Sequence, residues 1–213
     1  MALVAPSMLA ADFLHLEKDV RIVNDYADLF HMDIMDGRLV PNISFGFPVL
    51  EAVAKIATKP LDVHLMIIHP EAYIERFAKA GAEMISFHLE AAKDPEPIIG
   101  LIKENGAKAG IVINPDKPVE WLFPYLDQCD FVLLMSVFAG FGGQAFIETT
   151  YDRVKAVKAE IERRGLDVKI EVDGGVNAQN APLLIEAGAD ILVAGSAVFK
   201  SSDPQATIAS IRG

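Results

Sequence analysis

Cysteine is almost absent from this chain of 213 residues: Cys129 stands alone, so no internal disulfide can form. A reducing compartment follows, and the place of Cys129 just before an apolar strand suggests packing rather than chemistry. No run is apolar for long enough to span a bilayer, and the opening Met1-Ala2-Leu3-Val4-Ala5-Pro6-Ser7 lacks the basic region and apolar stretch of a signal peptide. The expected location is therefore cytoplasmic. Basic residues are in deficit, 19 Lys and Arg against 30 Asp and Glu, for a formal net charge of −11. That balance argues against nucleic acid or an anionic membrane as partner, and any anionic ligand must be held by local groups rather than by a positive field. There is also no linker, low-complexity segment or compositional break, so residues 1–213 read as one domain.

What is present is a strict alternation of two periodicities. Period-two apolar runs predict strands at 3–7, 31–37, 61–66, 84–89, 109–114, 131–137, 168–172 and 191–194. Between them, helical patterns are expected over 14–26, 48–57, 72–80, 95–104 and 148–163, with a short helix after Pro118, one ending at Gly188 and one after Pro204. Eight strands alternating with eight helices at about 27 residues per unit predict an α/β fold, a (β/α)8 TIM barrel in a single compact domain. A doubly wound open sheet would carry a glycine fingerprint after its first strand, and Pro6-Ser7-Met8-Leu9-Ala10 is not one.

The inward parity of these strands carries the chemistry. In strand two, Phe30, Met32 and Ile34 form an apolar face, and His31, Asp33 and Met35 form the other. The pattern recurs with Asp62, His64 and Met66, with Ser86, His88 and Glu90, and with Lys169, Glu171 and Asp173, each set ending at a strand's C-terminal end. That end is the active face of such a barrel. Buried polar groups must be paired, hydrogen-bonded or metal-bound, and His31, Asp33, His64 and Asp173 make a mixed nitrogen and oxygen set suited to zinc, iron(II) or manganese. His88 with Glu90 is expected to orient ligands from behind. Met35, Met66 and Met135 project toward the same mouth as a soft apolar lining.

Glycines mark a second constellation. Gly140, Gly142 and Gly143 flank Phe141 after strand six, Gly174 and Gly175 follow Asp173, and Gly195-Ser196 follows strand eight, where a short helix can open. Such ends let backbone amides approach an anion closely, and the loops after strands seven and eight are the usual phosphate site of a barrel. An acidic protein can hold a phosphate this way, without Lys or Arg.

These residues resemble the ribulose-phosphate 3-epimerase family. The matching stretches are residues 5–12, 31–37, 40–42, 62–66, 140–144, 171–175 and 193–196, and they span nearly the whole chain. The resemblance implies a metal-dependent isomerase that epimerises C3 of D-ribulose 5-phosphate to give D-xylulose 5-phosphate. It implies His31, Asp33, His64 and Asp173 as ligands of one divalent ion per subunit, zinc first, with iron(II), manganese or cobalt as alternatives. Asp33 and Asp173 would be the acid/base pair, and the phosphorylated ketose would lie against Ser7, His64, the three methionines and the glycine loops. A homo-oligomer is implied as well. The sequence departs from the family at Phe138-Ala139, where Asn-Pro or Asp-Pro is usual, and at Arg38-Leu39, where His-Phe is common. Those departures keep open a hexulose 6-phosphate such as D-allulose 6-phosphate as substrate. A catalytically silent phosphosugar-binding barrel is the remaining alternative, and intact Asp33 and Asp173 speak against it.

Overall fold

Eight parallel strands form: β1 (Leu3–Pro6), β2 (Phe30–Met35), β3 (Leu61–Met66), β4 (Ala82–His88), β5 (Lys108–Ile113), β6 (Phe131–Met135), β7 (Lys169–Asp173) and β8 (Ile191–Ala194). The computed structural model describes residues 1–213. Around the sheet the order is β1-β8-β7-β6-β5-β4-β3-β2. The seam between β1 and β2 is drawn together by a parallel bridge between Ser7 and His31 and by the Asp28 N–H donating to the Val4 carbonyl at 3.0 Å. The result is a nearly closed barrel with helices outside, the predicted architecture.

Helices α1 (Leu16–Tyr26), α2 (Phe47–Ala54), α3 (Ile74–Lys79), α4 (Pro95–Glu104), α5 (Thr150–Arg164) and α6 (Ala181–Ala187) connect strands, while α7 (Ser196–Phe199) and α8 (Pro204–Arg212) follow β8. The short helix expected after Pro118 is instead two 3₁₀ turns, Val119–Trp121 and Phe123–Tyr125. Pro124 lies in the second turn and has no N–H to donate, which interrupts an α-helical ladder at that point. The helix expected over 72–80 is likewise split, with a 3₁₀ turn at Pro70–Ala72 before α3.

Apolar parity decides which face of each strand meets the helices. Phe30, Met32 and Ile34 of β2 join Val20 and Val23 of α1 in one continuous buried shell between sheet and helices. Inside the barrel, the N-terminal end is plugged by Ala5, Leu29, Met84, Phe131, Ile191 and Val193. A Cβ added at Gly110 would stand 2.3 Å from the Phe131 ring, so the glycine makes the room that this large side chain fills. Above the plug lies a polar layer: His31, Asp62, His64, Ser86, His88 and Glu171, all inaccessible to solvent. Register sets its pairs, because β2 and β3 place His31 beside Asp62 and Asp33 beside His64, while β6 and β7 place Met135 beside Asp173.

Candidate active site

Four side chains converge at the C-terminal end of the barrel. His31 Nε2 and His64 Nδ1 lie 3.4 and 3.3 Å from Asp33 Oδ1, and each lies 3.9 Å from Asp173 Oδ2. Tetrahedral ligands at about 2.1 Å from an ion stand about 3.4 Å apart, so the four donors have close to the spacing that one divalent ion requires. Both imidazole nitrogens are buried and have no hydrogen-bond partner. An unsatisfied buried polar atom costs about 1–3 kcal/mol; a cation at the meeting point satisfies both at once. The donor set therefore fits a metal ion.

Each carboxylate is held by a different device. The Ser7 hydroxyl donates to Asp33 Oδ2 at 2.6 Å, which leaves Oδ1 aimed inward. The strand end carrying Asp173 is pinned by Ser136, whose backbone N–H and hydroxyl both donate to the Asp173 carbonyl at 2.8 Å. Burial opposes the charge on Asp33, but His31 and His64 prevail and hold its carboxyl well below the usual range. Asp173 is pushed up to about 7 by burial and by the neighbouring charge of Asp33.

The two imidazoles are backed by different chemistry. His31 Nδ1 meets Asp62 Oδ2 at 2.5 Å, with Glu171 Oε1 3.4 Å away. Burial disfavours a charged His31 ring, yet Asp33 and Asp62 outweigh it and raise its pKa well above the ordinary value. Behind His64 stands another ring, His88, with the two Nε2 atoms 2.9 Å apart. Burial, the leading cause, lowers the His64 pKa to about 4. His88 Nδ1 faces Glu90 Oε2 at 3.6 Å, Asn114 donates to Glu90 Oε1 from its backbone (3.0 Å) and side chain (3.1 Å), and Asn114 Oδ1 accepts from the Ala139 N–H at 3.0 Å.

That last bond reaches the loop over a cavity of about 450 Å³. All the site residues expected from sequence stand on its wall except His31 and His64, which lie buried behind Asp33 and Asp173. Gly174 is required there by its φ of +120° and by Val137, whose Cγ2 would lie 2.4 Å from an added Cβ. The covering loop is fastened by Asn42, whose amide donates to the Gly140 carbonyl at 2.8 Å, and by Gln144, which donates to the carbonyls of Phe138 and Phe141. Leu39 and Ala139 pack on the wall formed by Met35, Val40 and Met66, whereas Arg38 is exposed and off the wall.

Comparison with known proteins agrees with this geometry. Residues 3–199 match the model of the ribulose-phosphate 3 epimerase family. The chain belongs to that family. It is 51% identical to the ribulose-phosphate 3-epimerase of Bacillus subtilis, over 100% of this chain and 99% of that protein, and 46% identical to the one from Synechocystis, over 98% and 92%. Among solved structures it resembles the tryptophan synthase α-subunit of Pyrococcus furiosus with a TM-score of 0.72, covering 99% and 97% of the two chains at 16% identity, a likeness of fold alone.

Within this epimerase framework, sequence reading assigned no role to Asp62, Glu171, Asn42 or Lys200. Asp62 and Glu171 were visible as inward-facing residues, but their contact with His31 depends on cross-strand register. Lys200 lies on the cavity wall beyond Gly195-Ser196, at the end of a turn that carries no strand periodicity to mark it.

Proposed function

We propose that this isomerase interconverts D-ribulose 5-phosphate and D-xylulose 5-phosphate by moving a proton at C3, with Asp33 and Asp173 as the acid/base pair. The observation that carries the reading is the meeting of these carboxylates with two unpartnered imidazole nitrogens at the floor of the cavity, the ligand atoms lying within 4.8 Å of one another. Inversion at C3 needs a base on one face and an acid on the other. One carboxylate takes the C3 proton to leave an enediolate, and the other returns a proton to the opposite face. Environments that push two carboxyl groups apart suit that division, with Asp33 held ionised and Asp173 near neutrality.

His31, Asp33, His64 and Asp173 would hold a divalent ion; zinc suits the set, with iron(II), manganese or cobalt as alternatives. When bound, the ion supplies Lewis acidity that polarises the ketone and stabilises negative charge on the sugar oxygens. Ser7 keeps Asp33 oriented, the methionines exclude water, and backbone amides of the glycine-bearing ends receive the phosphate. We further propose a homo-oligomer in the cytoplasm. No helix is long and apolar enough to cross a membrane.

A second reading, a hexulose 6-phosphate such as D-allulose 6-phosphate, is favoured by Leu39 and Ala139, which pack on Met35 and Met66 where the family commonly has the bulkier Phe and Pro, Ala139 itself lining the cavity. Following C3 proton exchange with solvent deuterium on both sugar phosphates separates the two. A silent phosphosugar-binding barrel would exchange neither. The primary reading expects rapid exchange with the pentulose phosphate, lost when the ion is stripped and restored on adding zinc, iron(II) or manganese; full activity without metal would contradict it.

A further inference from the structure

Three charged residues line the cavity: Asp33 and Asp173 at the floor, and Lys200. Lys200 immediately follows α7, its backbone N–H donating to the Ser196 carbonyl at 3.1 Å, so it shares one turn with the Gly195-Ser196 end. It is exposed and forms no ion pair. Arg21, Lys79, Arg163, Lys169 and Arg212 are engaged with carboxylates, and the other basic side chains without an ion pair, such as Lys18, Arg38, Lys55, Lys59, Lys93 and Lys108, do not line this cavity.

A phosphate ester entering this cavity meets two carboxylates and a protein of formal charge −11. Backbone amides offer only partial charges, and α7, at four residues, adds little aligned dipole. An unpaired ammonium on a flexible four-carbon stem supplies the missing unit of positive charge at the rim. We propose that Lys200 is a phosphate-binding residue that selects the phosphorylated ketose, adding charge to the backbone cradle. This rests on the reading of the cavity as a sugar-phosphate site, and it adds a side-chain cation to the backbone amides expected there.

The test compares the metal-loaded wild type with Lys200→Met, Lys200→Glu and Lys200→Arg, measuring steady-state turnover of D-ribulose 5-phosphate and competitive inhibition by inorganic phosphate. Losing one charge-assisted contact at an exposed position predicts that Lys200→Met raises KM and the phosphate inhibition constant together by about 3–10-fold, with kcat within about twofold. Lys200→Glu should raise both further, and Lys200→Arg should restore both. Raising the salt concentration should weaken phosphate inhibition of the wild type more than that of Lys200→Met. A residue that only stabilised the turn would not show this charge order. If KM and the phosphate constant are unchanged in Lys200→Met while the wild type still prefers the ester to free D-ribulose, Lys200 has no such role and the sugar-phosphate reading survives. If the wild type turns over the free ketose as well as the ester, both fall.

Discussion

The two imidazoles that enter the site are the same residue type in opposite settings. His31 is backed by carboxylates, Asp62 at 2.5 Å and Glu171 at 3.4 Å, and its pKa is raised well above the ordinary value. His64 is backed by the ring of His88 and its pKa is lowered to about 4. The difference teaches how one barrel can offer two kinds of imidazole donor. The His31 side is anionic and closed beneath the site, making its free nitrogen a strong donor. The His64 side is a chain of hydrogen-bonding groups through His88, Glu90 and Asn114 that ends on the N–H of Ala139 in the covering loop. One side grips; the other connects.

Among the groups behind the two rings, the largest effect on metal affinity should come from Asp62→Asn, which removes the charge behind His31 but keeps its shape. Metal affinity, measured by competition with a chelator, should fall about 10–100-fold. Proton release on metal binding should change as well. A raised His31 pKa keeps a proton on the free ring to higher pH, and the ion must displace it along with that of Asp173, which is pushed up to about 7, so affinity climbs as pH rises through these values. His64, neutral above about 4, releases none. Calorimetry in buffers of different ionisation enthalpy should find fewer protons released near pH 7 in Asp62→Asn; an unchanged count would break the contrast between the two rings.

His88→Gln should do less. A neutral hydrogen bond is roughly half as strong as a charge-assisted one, so the loss in metal affinity should be about tenfold or below, with a stability cost of about 1–3 kcal/mol by denaturant melt. An effect on metal affinity exceeding that of Asp62→Asn would reverse the ranking. Smallest at the metal is Asn114→Ala, which frees the Ala139 N–H. KM for the sugar phosphate should rise about 2–5-fold from the lost loop anchor, with metal content by elemental analysis unchanged. Equal loss of metal in Asn114→Ala would mean that the loop and His64 are not separable.

Much of this was legible along the chain and little of it across the chain. Parity within a strand places His31 and Asp33 inward together, and the same arithmetic on β3 and β7 brings His64 and Asp173 to the same end, so the convergence of these four side chains follows from sequence. Which neighbours touch does not follow. The His31–Asp62 pair depends on the β2–β3 register, and the Asn114–Ala139 bond joins residues 25 apart in sequence. Between β5 and β6 the sequence after Pro118 predicts a short helix, whereas Pro124 removes the donor that would continue one and two 3₁₀ turns form instead. Lys200 carries no signal of its own in the sequence, since nothing in its neighbours distinguishes it from a solvated surface lysine, and only the folded cavity wall does.

Everything proposed for the reaction turns on Asp33 and Asp173 serving opposite faces of C3. The direct measurement is solvent deuterium exchange by Asp173→Asn with metal content verified, since the amide keeps a carbonyl oxygen but has lost the basic carboxylate. Epimerisation should fall by at least about 10³-fold, within the range expected when a positioned acid/base is removed. Deuterium should still enter C3 of one ketose phosphate and not of its epimer. Comparable exchange into both epimers by the metal-replete variant would contradict the assignment of Asp173 to one face.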